Sequence, residues 1–377
     1  MDMQTPLNSE LNRNDRRILG LVFRGRAVTQ SALIEETQLT QQSVSRIVSQ
    51  LMDAGLMMPG ERVGNGGRRG YPSTSLRLNG DYAFVVGAAI MADAIAVSLT
   101  DFAGKVCTQK RVPVSSPTRL SGLDCVDQVV NELCQLSGVS RGAVAGMGIA
   151  VAGSFIEAGG FNTPAYLEDW AGADVAALFA ERFGLPCLAD NDGNTAAVAE
   201  SLHGVGRWAG SFGYLYVSSG VGGGVILNGE LWRGRFGNAG EFAGGLPPDI
   251  FPFPNLELLR QSLARDGILF ETVDDLVDNY DPDWPAIEEW IVKVRDSLSI
   301  ICSNATAILD IDAFVLGGRM PTGLAERVIP HINIFDQKRR GVTRPAARIV
   351  PAEAKGEVAA IGASLLPLKK LFFDTYS

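Results

Sequence analysis

Apolar residues recur at helical spacing through the first fifty positions. Ile18, Leu19, Val22 and Phe23 share one face of a helix over 14–23, with Asn14 as its expected cap. Thr29 is placed to cap a second helix over 30–36, and Thr40 a third over 41–51. In the third, Val44, Ile47, Val48 and Leu51 face inward, while Gln41, Gln42, Ser43, Ser45, Arg46 and Ser49 lie on the opposite side. That helix ends at Gly55, and residues 60–79 read as a hairpin whose tip is Gly64-Asn-Gly-Gly-Arg-Arg-Gly70.

From Asp81 the period changes to short apolar strands alternating with helices. Strands are expected over 82–90, 94–100 and 105–114, then a helix over 121–136, a strand over 144–152 and a helix over 173–183. The run Phe183-Gly-Leu-Pro-Cys-Leu188 reads as the end of a buried strand, and Thr195–Glu200 as the start of a helix. A second set opens with strands over 212–218 and 223–227. An extended loop follows, then a long helix over 284–309, a strand over 313–316 and a final helix over 356–373. Two α/β units, each opening with strands and hairpins, predict two lobes with a cleft between them. The division expected is 1–78, then a first lobe over 79–200 completed by the helix in 356–377, and a second lobe over 201–355.

Composition refines this reading. The chain has 377 residues, is 46% hydrophobic and carries a net charge of −9, which alone argues against a partner rich in phosphate. Residues 1–78 hold 10 Arg or Lys against 7 Asp or Glu, a net of +3, which leaves 23 against 35, a net of −12, for the rest. A mildly basic module is thus joined to a strongly acidic body, as expected if only the module touches nucleic acid. No apolar run reaches the roughly 18 residues of a spanning helix, and the N-terminus lacks a secretory pattern. Five scattered cysteines look like reduced core residues, so a cytoplasmic protein without membrane contact is expected.

Two stretches carry chemistry. The acid-free outer face of helix 41–51 offers Gln41, Gln42, Ser43, Ser45 and Arg46 to base edges in a major groove, and Arg68 and Arg69 at the hairpin tip can reach phosphate or a minor groove. Three helices and a basic, glycine-rich hairpin describe a winged helix-turn-helix. The second stretch is Leu188-Ala-Asp-Asn-Asp-Gly-Asn194, at a strand's C-terminal end, where α/β sheets bind ligands. Asp190, Asn191 and Asp192 suit paired hydrogen bonds to sugar hydroxyls, although Asp and Asn are also preferred helix caps and one of the three is expected to serve only as that.

The chain resembles the ROK family, whose name joins repressors, uncharacterised reading frames and sugar kinases. Gly67-Arg-Arg-Gly-Tyr-Pro-Ser-Thr-Ser-Leu-Arg-Leu-Asn79 is similar to the wing of its repressors, Val217-Ser-Ser-Gly-Val-Gly-Gly-Gly224 to its second phosphate-binding hairpin, and Gly237-Asn-Ala-Gly-Glu-Phe-Ala-Gly244 to its sugar-contacting signature. Phe314-Val-Leu-Gly-Gly-Arg319 matches a later strand, and Ala189–Asn194 completes the set. The resemblance implies an α/β fold, a winged helix-turn-helix followed by a bilobal, actin-like (ribonuclease-H-like) ROK domain. It also implies a sugar site formed by Asn191, Asp192 and Glu241, with Gly153 letting backbone approach the ligand and Asn162 or Tyr166 lining the cleft. Trp170 reads as a core anchor.

Departures decide the expected activity. The family's kinases open the first lobe with Asp-x-Gly-Gly-Thr, where this chain has Ala89-Ile-Met-Ala-Asp93, so the loop offers little to phosphate and Asp93 is expected to oppose it with fixed negative charge. The family's zinc histidine is replaced by Gly244 and no cysteine follows in 245–257, so no metal is expected; packing of Pro247, Pro248, Pro252 and Pro254 is expected instead. The reading is a sugar-responsive repressor, not an enzyme, without cofactor, whose partners are operator DNA, a sugar or sugar derivative, and further copies of itself as a dimer or tetramer. Its rivals are an ATP-dependent sugar kinase with a fused DNA-binding domain, and a DNA-binding protein with a vestigial cleft controlled by a protein partner.

Overall fold

The computed structural model describes residues 11–63, 73–156, 159–335, 342 and 345–373. Three helices come first: α1 (Arg13–Phe23), α2 (Gln30–Thr37) and α3 (Gln41–Asp53). Thr29 and Thr40 cap the second and third as expected. The cap of α1 is Asn12 and not Asn14. Asn12 Oδ1 accepts from the N–H groups of Asn14 and Asp15 while the Asp15 carboxylate accepts from Asn12 N–H, a reciprocal box that Asn14 could not form. Ile18, Leu19, Leu33, Val44, Ile47, Val48 and Leu51 form the core between the helices. β1 (Met57–Val63) pairs antiparallel with β2 (Ser73–Leu78) as the expected hairpin. Its tip, with Arg68 and Arg69, lies outside the described residues.

A short 3-10 turn at Gly80–Tyr82 delays the next strand, so β3 covers Phe84–Ile90 rather than starting at Tyr82. β4 (Ala94–Asp101), β5 (Val106–Pro113), α4 (Arg119–Ser137), β6 (Val144–Val151), a small hairpin of β7 (Ser154–Phe155) and β8 (Phe161–Asn162), α5 (Val175–Phe183), β9 (Cys187–Asn191) and α6 (Asp192–His203) follow. Residues 183–188 are therefore not the end of a strand. α5 runs to Phe183, Gly184 closes it in the left-handed region, and the strand starts at Cys187 and carries Asp190 and Asn191 within it.

The second set is β10 (Phe212–Val217), β11 (Val221–Leu227), β12 (Glu230–Leu231), α7 (Leu256–Arg265), α8 (Val273–Asp278), α9 (Ala286–Leu309), β13 (Ala313–Gly318), α10 (Thr322–Val328), β14 (Arg348–Pro351) and α11 (Val358–Phe372). The expected extended loop thus contains two helices, α7 and α8, whose apolar residues Leu256, Leu259, Leu263, Val273 and Leu276 are too few per helix to stand out as a period.

The strands form two five-stranded sheets of one topology, β5-β4-β3-β6-β9 and β12-β11-β10-β13-β14. In each, the first three strands are antiparallel neighbours and the last two pair parallel. Every residue of β6 is buried because α4 and α5 cover one face of its sheet and α11 the other, which explains its unbroken apolar run. α11 lies directly on the strands: a Cβ on Gly148 would stand 1.8 Å from the Ala363 carbonyl oxygen. Small residues also let α11 cross α6, where Ala196, Ala197, Ala199, Ala359, Ala360 and Ala363 make the layer between the two sheets. The parallel strands β6 and β9 and the β10–β11 turn direct their ends at one cleft.

Two of the five cysteines, Cys134 and Cys302, are buried, but Cys107 is exposed and Cys125 and Cys187 are half-buried, so not all are core residues; all five are free thiols. No described helix is long and apolar enough to cross a membrane.

Candidate functional site

A cleft with a cavity volume of about 310 Å³ lies between the sheets. It brings together Gly153, Asn162, Asn191, Asp192 and Glu241, all five of the residues expected to hold a sugar. Gly153 follows β6 with φ +132°, and a Cβ there would meet the Asn162 carbonyl oxygen at 2.6 Å, so this turn requires glycine.

The acidic turn divides its labour. Asp190, 1% exposed, faces away from the cleft: its Oδ1 accepts from the Asn191 N–H and from Asn194 Nδ2, both at 2.8 Å, and its Oδ2 from Arg233. Asn191 is the cap of α6, accepting from Gly193 N–H at 2.7 Å and Asn194 N–H at 3.3 Å, while its Nδ2 donates to the Gly153 carbonyl at 2.8 Å. It therefore holds the turn against β6 and has one amide hydrogen left for a ligand. Among the described residues, Asp192 accepts at Oδ1 from Gly193 N–H, and no other residue donates a hydrogen bond to its second carboxylate oxygen.

Burial pushes the Asp192 carboxyl up to about 6, with the nearby Glu241 charge adding to the shift. The cleft wall likewise raises Glu241, which stands at the mouth beside the 3-10 turn Phe242–Gly245. Tyr166 and Tyr216 supply ring faces, and burial lifts the Tyr166 phenol to about 12, so it stays a neutral donor. Among the described residues lining this cavity, none is Lys, Arg or His.

Several contributors escaped the sequence reading. Tyr216, Ser154 and Thr163 line the cavity. Asn238 clamps the wall across the cleft, its Oδ1 accepting from Phe155 N–H at 2.7 Å and its Nδ2 donating to the Phe155 carbonyl at 3.0 Å. Its place in Gly237-Asn-Ala-Gly-Glu241 was the available signal. Trp170 is fully buried, with Nε1 donating to the Pro117 carbonyl at 2.7 Å, and is a core anchor as expected.

The turn between β3 and β4 corrects the expectation for Asp93. Its carboxylate is buried and does not face a ligand: Oδ1 accepts from Arg319 Nη1 at 3.2 Å and Oδ2 from Asp274 N–H at 2.9 Å. Arg319 also pairs with Asp274, which lies 3.4 Å from Arg111 Nη1 on β5. This turn is thus occupied by an ion-pair network joining both halves.

The segment 245–255 is fixed by α9, where Ser297 Oγ donates to the Pro252 carbonyl at 2.7 Å and Trp290 Nε1 to the Asn255 carbonyl at 2.9 Å. Among the described residues no group of three or more His, Cys, Asp or Glu is placed to hold a metal ion.

The candidate nucleic-acid face is the outer side of α3. Gln41, Gln42, Ser45 and Arg46 are exposed and Ser43 half-buried, while Val44, Ile47, Val48 and Leu51 turn inward, so the polar side is free of the two sheets.

Comparison with known proteins agrees with this geometry. The sequence model of the ROK family matches residues 85–250, and that of a winged helix-turn-helix DNA-binding domain matches residues 11–56. The uncharacterized protein y4fQ of Sinorhizobium fredii is 26% identical over 98% of this chain and 94% of its own length. The xylose repressor of Bacillus spizizenii is 26% identical over 60% of this chain and 59% of its own. The solved structure of a ROK-family transcriptional regulator, a homologue of the E. coli MLC protein, superposes with a TM-score of 0.68 at 18% identity, covering 95% of this chain and 96% of that one. With its two sheets of repeated topology and three helices ahead of a β-hairpin, the chain carries a winged helix-turn-helix in front of an actin-like, sugar-kinase-type domain whose residues 85–250 match the ROK family.

Proposed function

We propose that the protein is a DNA-binding transcriptional repressor whose cleft binds an unphosphorylated sugar, and that it has lost kinase activity. Residues 1–78 serve as the DNA-binding module, 79–200 with 356–377 as the first lobe, and 201–355 as the second. Gln41, Gln42, Ser43, Ser45 and Arg46 read base edges, and the wing with Arg68 and Arg69 contacts the backbone. A homo-oligomer places two such modules on two half-sites.

The observation that carries the sugar reading is the character of the cavity. Two carboxylates, two amides and two tyrosines line it, and no described cation does. Acceptors of that kind hold neutral hydroxyls, whereas a phosphate would meet repulsion from Asp192 and Glu241. The likeness to a xylose repressor supports a monosaccharide as effector. Release of DNA then requires only that the sugar prefer one arrangement of the lobes by about 1–3 kcal/mol.

Loss of phosphoryl transfer follows from the β3–β4 turn, where Met91 and Ala92 replace flexible glycines and Arg319 is neutralised by two aspartates. Titration calorimetry of the full chain against monosaccharides and their phosphates, with Glu241→Ala as control, tests the effector. Heat with a neutral sugar, lost in the variant, supports it. Silence with the whole panel would point to a vestigial cleft, and ATP-dependent sugar phosphorylation abolished by Asp192→Ala would establish the kinase instead.

A further inference from the structure

The acidic turn of the cleft and the first helix of the DNA-binding module are joined by one short strip, residues 228–233. At its start the Asn228 carbonyl accepts from Arg26 Nη2 at 2.7 Å, and a Cβ on Gly229, at φ +81°, would meet that same guanidinium nitrogen at 2.6 Å. Glu230 then pairs with Arg24, immediately after α1, and its other carboxylate oxygen lies 3.7 Å from Lys369 on α11. Three residues on, Arg233 reaches the cleft side: Nη2 and Nε donate to Asp190 Oδ2 at 2.6 and 3.1 Å. Asp190 in turn fixes the Asn191 N–H and the Asn194 side chain, the residues that shape the start of α6. Within the strip, Glu230–Leu231 form the edge strand β12 beside β11, whose opposite end, Val221 and Gly222, lines the cavity.

These contacts have unequal rigidity. Asp190 is buried, and a carboxylate there is held tightly by its guanidinium partner. On the other side of the module, Phe23 packs against Phe373 in a tilted pair with ring centroids 4.5 Å apart, and Arg16 donates to the Leu371 carbonyl, so α1 is anchored to the end of α11. A displacement of the strip relative to α11 therefore cannot leave α1 unaffected, because α1 is tied to both.

We propose that residues 228–233 are the coupling element of this protein, transmitting a change in the Asp190–Asp192 turn to α1 and so to the orientation of α3. The inference rests on the reading of the cleft as an effector site and α3 as the DNA reader, and names the regulation of that site. Ligand contact at Asn191 or Asp192 shifts the turn, Asp190 carries Arg233, and Arg233 carries Glu230 and Asn228 against Arg24 and Arg26.

Hydrogen–deuterium exchange of the full, ligand-free chain tests it, with Arg233→Gln, Glu230→Gln, the double variant, and Lys110→Gln as a control at an exposed ion pair away from the strip. Arg233→Gln is expected to speed exchange in 13–25, which Arg233 does not touch, and Glu230→Gln in 187–196, each by at least about threefold. The double variant is expected to exchange no faster than the faster single, because both cut one connection. Effects confined to the segment each residue contacts would overturn the proposal, as would equal loosening by Lys110→Gln. If circular dichroism shows Arg233→Gln unfolded, Arg233→Lys, which keeps the charge and loses the paired geometry, takes its place with the same two outcomes. No sugar enters the measurement, so a calorimetric failure of the effector reading and a failure of the coupling are told apart.

Discussion

Arg319 and Asp93 form a buried ion pair between the two sheets, Nη1 to Oδ1 at 3.2 Å, with side chains only 5% and 8% exposed. One belongs to the end of β13 and the other to the β3–β4 turn, so the pair ties the two sheets at the point where the family's kinases present glycines to phosphate. Asp274 completes the neutralisation from the second half. Removing the cation alone leaves the buried Asp93 carboxylate with only the Asp274 N–H and Asp274 with Arg111 as its remaining cation.

Arg319→Met is accordingly expected to lower the unfolding free energy by about 3–5 kcal/mol, measured by urea denaturation. Asp93→Asn on that background should recover part of the loss, since it removes the buried charge that Arg319 had paired. Equal stability of Arg319→Met and the wild type would mean that the network contributes nothing.

At the cleft, Asp192→Ala and Glu241→Ala each remove a charged acceptor for a ligand hydroxyl. Each is expected to weaken the effector that calorimetry identifies by about 1.5–3 kcal/mol, roughly 10- to 150-fold in Kd. Asp190→Ala is expected to damage the fold before it damages affinity, because its carboxylate holds Arg233 and Asn194 and does not line the cavity.

The pH dependence follows from the Asp192 carboxyl, raised to about 6 by burial and then by Glu241. Between its ordinary value of 3.8 and about 6, the folded chain holds a proton that the unfolded chain has released. Stability from this group is therefore present at low pH, declines as pH rises through that window and is level above it. Wild type should lose up to about 2 kcal/mol between those limits relative to Asp192→Asn, a figure reduced for the water that reaches the cleft. Paired urea titrations at pH 4 and 7 measure it; an Asp192→Asn difference of the opposite sign would contradict the burial of this carboxyl.

On DNA, Arg46→Ala should cost about 1–3 kcal/mol of operator affinity in fluorescence anisotropy, with Gln42→Ala relaxing specificity. Both positions are exposed and make no core contact, so the folded state should be unchanged by circular dichroism.

The sequence by itself determined the elements whose residues decide their own environment. Thr29 and Thr40 announced helices because a hydroxyl before an apolar period satisfies backbone donors locally, and β6 announced a strand because all eight of its residues are apolar or glycine. Asn191 and Asp192 were legible as a short polar run at a strand end, whereas Gly153, Asn162 and Glu241 came only from the resemblance to the ROK family. Only the tertiary structure decided what their charges do. Asp93, read along the chain, faces a ligand; folded, it is consumed by Arg319, 226 positions away. Asp190 and Asp192 are chemically alike and two residues apart, yet one is spent on Arg233 and the other opens to the cleft. Coulombic partners act through space and leave no period in the sequence, so which carboxylate is neutralised and which is free is settled when the two sheets close on one another.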